Sequence, residues 1–123
     1  MRATEVNLGD WIEFPDGVRA RIAALPFVNK YGICAQRIEN GELSGVYPIV
    51  DCKPIPITDE ILIANGYHYD ELDHNWYGGP IYSLYGTSAP FSFFDGQEAE
   101  YVHELQRAFK CAKKEDEIVL SNA

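Results

Sequence analysis

An α+β fold is what this chain predicts. The expected architecture is a small N-terminal SH3-like β-barrel or meander, then a short helix, a small antiparallel sheet and a C-terminal amphipathic helix. Three observations carry the expectation. Short apolar segments separated by turn signals recur at roughly ten-residue spacing through the first half. Pro54 and Pro56 then interrupt the middle of the chain, where no interior strand can run. Near the end, Tyr101, Leu105, Ala108, Phe109 and Ala112 recur at helical spacing, with Val102 at the edge of the stripe.

The elements follow in order. Asp10 to Phe14 is a short apolar strand, and Pro15-Asp16-Gly17 is a turn in which Pro presets φ and Gly tolerates positive φ. Val18 to Leu25 alternates, with Val18, Ala20, Ile22 and Ala24 on one face and Arg19 and Arg21 on the other. Tyr31 to Ile38 and Leu43 to Val50 are the third and fourth strands, and the Asn40-Gly41 pair between them favours a type I′ hairpin. Thr58 to Asn65 forms a two-turn helix: Thr58 is the N-cap, Asp59 and Glu60 suit the positive end of the dipole, and Gly66 fits the position after the last turn. Extended pieces follow at Tyr67 to Glu71, Trp76 to Tyr77, Ile81 to Tyr85 and Phe91 to Phe94. Asp95 and Glu98 have the spacing of a capping box, which starts the last helix near Gln97 and carries it to Lys113. The expected division is a β lobe over 1–53, an α+β lobe over 54–114 and a frayed tail over 115–123, or one compact domain.

Charge is unevenly spread over the 123 residues. The net charge is −9, and Thr58 to Gln106 contains nine carboxylates with no lysine or arginine. The same stretch holds ten of the sixteen aromatic residues. Acid without base repels phosphate backbones, so direct nucleic-acid binding is not expected, whereas basic protein surfaces are attracted. Dense aromatics supply a core and point to surface that a partner covers. No apolar run reaches the roughly 20 residues of a membrane span, and the N-terminus carries no secretory pattern. Cys34, Cys52 and Cys111 are odd in number and widely spaced, which suits free thiols in a reducing cytoplasm.

Two passages carry a resemblance. Leu8-Gly9-Asp10-Trp11-Ile12, followed by Lys53-Pro54-Ile55-Pro56-Ile57-Thr58 leading into Ile61-Leu62 and Gly66-Tyr67, is one. Glu100-Tyr101-Val102-His103-Glu104-Leu105-Gln106-Arg107 is the other. In order and spacing the chain resembles a family of short uncharacterised bacterial proteins from phage-like and mobile elements. It departs from that pattern at Lys113-Lys114-Glu115, where the family often closes its helix with a Thr-Gly pair. The resemblance implies no activity and no site.

Candidate chemistry is thin. His68, Asp70, Asp73 and His74 are metal-ligand types within seven residues, but an acidic hairpin tip has the same composition, so no metal and no cofactor is expected. Cys34 reads as a core thiol, and Cys52 lies beside Lys53, which would lower its pKa. His103, beside Glu100, Glu104 and Arg107, reads as a pairing residue on a helix edge. Gly78-Gly79-Pro80 precedes an extended segment and lacks a lysine, so it is no phosphate loop. Arg19, Arg21 and Arg37 can share one sheet face. The expected function is a non-catalytic protein-interaction module, with an acidic decoy of a nucleic-acid-binding protein as the alternative and a cryptic enzyme behind both. The partner is another protein or a second copy. Period-2 placement puts Tyr82, Leu84 and Phe94, with Trp76 or Tyr77, on a face that either the N-terminal lobe or that partner covers.

Overall fold

The computed structural model describes residues 6–26, 32–79, 83–93, 98–111 and 120. The fold is α+β, built among the described residues from small antiparallel sheets and two α-helices. The chain divides into two compact units, Met1–Ile55 and Pro56–Ala123. No helix among the described residues is long and apolar enough to cross a membrane.

The first unit is a meander. β1 (Trp11–Glu13) pairs with β2 (Arg19–Arg21), and Phe14 and Val18 close the turn between them through a 2.8 Å backbone bond. Gly17 sits at φ +85° there, a conformation that β-carbon-bearing residues disfavour. A bridge from Ala24 to Gln36 leads to β3 (Cys34–Ala35) and β4 (Ile38–Glu39). Asn40 and Gly41 both have positive φ, as a type I′ turn requires, and β5 (Glu42–Leu43) returns against β4. β6 (Tyr47–Pro48) then pairs with β3. The expected run to Val50 stops at Pro48, because a 3-10 turn takes over at Ile49–Asp51. After it, β7 (Lys53–Pro54) lies against β1 as the edge of the order β2-β1-β7, which is where a strand proline is tolerated. Among the described residues no ladder joins β6 to β7, so the meander is open rather than a closed hydrogen-bonded barrel.

Val6, Ile12, Phe14, Ile22, Ala35, Ile49 and Cys52 form the core of this unit. Arg37 does not join Arg19 and Arg21 on an outer face. Its side chain is 5% exposed and its guanidinium binds two carboxylates. Nη1 donates to Asp16 Oδ1 at 2.9 Å, Nη2 donates to Asp16 Oδ2, and Nε donates to Glu39 Oε1 at 2.8 Å. The same group lies 4.9 Å from the Phe14 ring centre and 4.7 Å from that of Tyr47. A planar cation suits two carboxylates at its edge and aromatic rings packed beside it; an ammonium would not.

In the second unit, α1 (Asp59–Ala64) begins as expected: Thr58 Oγ1 accepts from the Ile61 N–H at 3.3 Å, and Gly66 follows the helix at φ +91°. A five-stranded sheet comes next in the order β12-β11-β10-β9-β8. Its strands are β8 (His68–Asp70), β9 (Asn75–Tyr77), β10 (Leu84–Tyr85), β11 (Phe91–Ser92) and β12 (Glu98–Ala99). The last helix, α2 (Val102–Cys111), starts later than the Asp95/Glu98 pattern implied. Glu98 belongs to β12 instead, opposite Ser92, so a strand pairing overrides the local capping signal; Asp95 and Phe94 lie outside the described residues. Glu104 supplies the cap. Its Oε1 accepts from the Tyr101 N–H at 3.0 Å and the Glu100 N–H at 3.1 Å, the third-position half of a capping box. The buried stripe of α2 runs through Val102, Leu105 and Ala108, so Val102 is at its centre.

Two outcomes are expected. Leu84 is fully buried, so Leu84→Ala should lower the unfolding free energy by about 2–5 kcal/mol in a urea titration. The Arg37 guanidinium holds the Asp16 carboxyl pKa down at about 2, against an ordinary 3.8. Because the folded value is the lower one, the contribution is present above 3.8 and is lost as pH falls toward 2. Asp16→Asn should flatten that acid limb of stability measured between those two pH values.

Candidate functional site

Antiparallel registers decide what the five-stranded sheet shows to solvent. Tyr69 stands opposite Trp76, and Trp76 opposite Leu84. Directly paired residues share a face, so these three point the same way. Trp76 and Leu84 are buried, at 3% and 0% exposure, and the Tyr69 ring packs 5.3 Å from that of Trp76. Phe91 shares this inner face through its partner Ala99, and both are buried. The other parity faces out. Asp70 pairs with Asn75, Asn75 with Tyr85, Tyr85 with Ser92, and Ser92 with Glu98. This row crosses all five strands and every member is half-buried or exposed. His68 and Tyr77 form a second row beside it.

Local bonds hold the outer face in shape. Asp70 Oδ1 accepts from the backbone N–H of Leu72 at 2.8 Å and of Asp73 at 3.3 Å, the pattern that lets a short acidic side chain organise its own turn. The Tyr77 hydroxyl donates to Asp73 Oδ2 at 2.9 Å. Asn75 Oδ1 accepts from the Gly86 N–H at 3.1 Å. No lysine or arginine lies anywhere from Thr58 to Gln106, so the face is acidic, phenolic and amidic.

The residues proposed from sequence separate accordingly. Trp76 and Leu84 are interior, because their shared register turns both toward the core; the surface reading of them is corrected. Tyr77 is on the outer face and half-buried. Tyr82 and Phe94 lie outside the described residues. Tyr85, Asn75, Ser92, Asp70 and Glu98 were not singled out as surface. Pairing Trp76 with Leu84 would have revealed them, since every residue one step from that pair must face outward.

The other constellations do not assemble. His68 and Asp70 share the outer face, but His74, at φ +59°, turns its Nδ1 to within 3.0 Å of the Tyr69 hydroxyl instead. Among the described residues no group of three or more His, Cys, Asp or Glu is placed to hold a metal ion. Cys34 and Cys52 are buried thiols that form no disulfide. Lys53 does not activate Cys52: burial dominates and pushes the thiol up to about 11. His103 is 3% exposed and its ring stacks on that of Tyr101, with centres 6.0 Å apart, so it is part of the packing of α2 and not an edge residue. Gly78-Gly79 has a packing role. A β-carbon on Gly79 would fall 2.0 Å from the Tyr67 ring, so only glycine lets the chain pass over that buried side chain.

Comparison with protein-family models, with curated proteins and with solved structures found no match.

Alkaline stability follows from two of these groups. Burial raises Cys52 from 9.0 to about 11 and Tyr67 from 10.0 to about 12. Both folded values exceed the unfolded ones, so their contribution is intact below 9 and is lost progressively as pH climbs through 9 toward 12. Thermal melts across that range should show a falling midpoint, with a shallower fall in Tyr67→Phe.

Proposed function

We propose that the chain is a non-catalytic protein-interaction module that docks through the outer face of its five-stranded sheet. The carrying observation is the row Asp70, Asn75, Tyr85, Ser92 and Glu98, which spans the whole sheet on the side opposite the buried one. An antiparallel sheet ordinarily solvates its free side with long charged chains. Here the free side carries Tyr77 and Tyr85 with Asn, Ser and carboxylates. Tyrosine gives large contact area for little lost side-chain freedom, and interfaces are enriched in it and depleted in lysine. Preset turns at Asp70 and Asp73 and the bond from Gly86 to Asn75 reduce the ordering that docking would otherwise require.

A non-catalytic role is supported by where the candidate thiol and histidines lie. Cys52 is held as a neutral thiol, His103 is stacked in the interior, and His68 and His74 diverge. The first unit suits an SH3-like scaffold: a meander, a 3-10 turn after its last hairpin, and a final strand returning to the first. Buried reduced thiols suit a cytoplasmic setting. The decoy reading shares the same face and is favoured by the unbroken run of acid without base.

Tyr85 lies at the centre of the row and is 37% exposed. Tyr85→Ala should leave the melting midpoint within about 2 °C. It should weaken capture of whatever protein the native chain retains by about tenfold or more. Equal retention by the variant would rule the face out. Capture lost in high salt by the native chain would favour the decoy over the aromatic interface.

A further inference from the structure

Resting on the docking role of that face, we infer that its partner is a second copy of this chain, which presents the outer face of its β2-β1-β7 sheet. The registers place Trp11 opposite Arg21, and Glu13 opposite both Arg19 and Lys53. These five share one side, because Ile12, with its partners Ala20 and Pro54, takes the other and is fully buried. Among the strand residues themselves, the exposed side therefore carries three cations and one carboxylate around an indole. Arg19 is 40% exposed even while paired with Glu13 at 3.5 Å, and Arg21 lies 5.4 Å from the Trp11 ring centre. Four of the six basic residues before Thr58 are Arg19, Arg21, Arg37 and Lys53, and Arg37 is sequestered in the core. The remaining three stand together on this sheet, whereas the outer face of the five-stranded sheet has none. A cationic face with a flat aromatic and an anionic face with two phenols are complementary in charge and in kind.

Magnitudes set the strength. Five strands at about 4.8 Å spacing make a face about 24 Å wide and about 10 Å along the strands. That is well short of the roughly 800 Å² per partner found in stable complexes. The net charge of −9 also opposes approach, although it is screened beyond about 8 Å at physiological salt. The association is therefore weak, fast and salt-sensitive. It joins unlike faces, so it produces a closed dimer only if the rotation closes and longer chains otherwise.

Sedimentation velocity on the full chain tests this at low salt and at about 0.5 M, where the screening length drops to a few ångströms. Mass above one chain at low salt, collapsing to one chain at high salt, is expected. Arg19→Glu with Lys53→Glu should weaken the low-salt association by about tenfold or more, and so should Tyr85→Lys with Glu98→Lys. Mixing the two reversed proteins should restore it, because each then offers the charge the other lacks. Circular dichroism verifies that each is folded, and either pair alone suffices if the other is not. A chain that is monomeric at low salt at every concentration overturns the inference, as does association indifferent to both reversals. A monomeric chain with Tyr85-dependent capture of another protein would overturn the second copy and leave the docking face standing.

Discussion

The pairing of Trp76 with Tyr69 on one side and Leu84 on the other is the constraint on which the second unit turns. A β-ladder has period two, so placing one residue of a strand inward determines the direction of all the rest. Trp76 is the largest side chain on the sheet and is 3% exposed. With it fixed, Asn75 and Tyr77 have to face out, and their partners Asp70, Tyr85 and His68 with them. A slip of one residue would bury the carboxylate and the amide and expose the indole. Each misplaced polar group would then lack the water that now solvates it. The same register that builds the core therefore composes the face proposed for docking.

In the first unit the corresponding role falls to Arg37. Its guanidinium joins the turn after β1, through Asp16, to the hairpin of β4 and β5, through Glu39. Phe14 and Tyr47 both pack beside it and meet each other edge to face, with ring centres 5.2 Å apart. The carboxylates are 43% and 44% exposed, so only the cation is withdrawn from water. That division keeps the desolvation penalty to one group and lets the partners hold it from the rim. It also removes a positive charge from the surface, which leaves the outer side of β2-β1-β7 as the place where the described residues of the unit show their cations.

α2 illustrates how a tertiary pairing overrides a local signal. Asp95 and Glu98 have capping-box spacing, yet Glu98 lies in β12 and bonds into the sheet. The helix begins after it, where Glu104 reaches back to the N–H groups of Glu100 and Tyr101. The later start matches a face centred on Val102 and Leu105 rather than on Tyr101, and brings His103 inside against the Tyr101 ring. Residues 56–57 tie down the same region: the Ile57 N–H donates to the Glu100 carbonyl at 3.0 Å, and Pro56 bridges to Tyr101. A histidine in that setting is part of the packing of α2.

Local chemistry alone determined much of the architecture. Asn40-Gly41 dictated its hairpin because both residues tolerate positive φ, Thr58 its cap because a hydroxyl can accept from the third following N–H, and Pro54 its place on an edge because it cannot donate. The α+β class and the acidic, base-free middle of the chain were equally legible, since each is a property of consecutive residues. What only the tertiary structure decided is which strand lies beside which. Trp76 and Leu84 are eight positions apart, and nothing local says that they are opposite one another. Without that fact the inward and outward sets of β8 to β12 cannot be told apart, and an interior pair reads as surface. Arg37 was hidden for the same reason: its partner Asp16 is 21 residues away, and alternation along a strand does not reveal a cation drawn inward by a distant carboxylate.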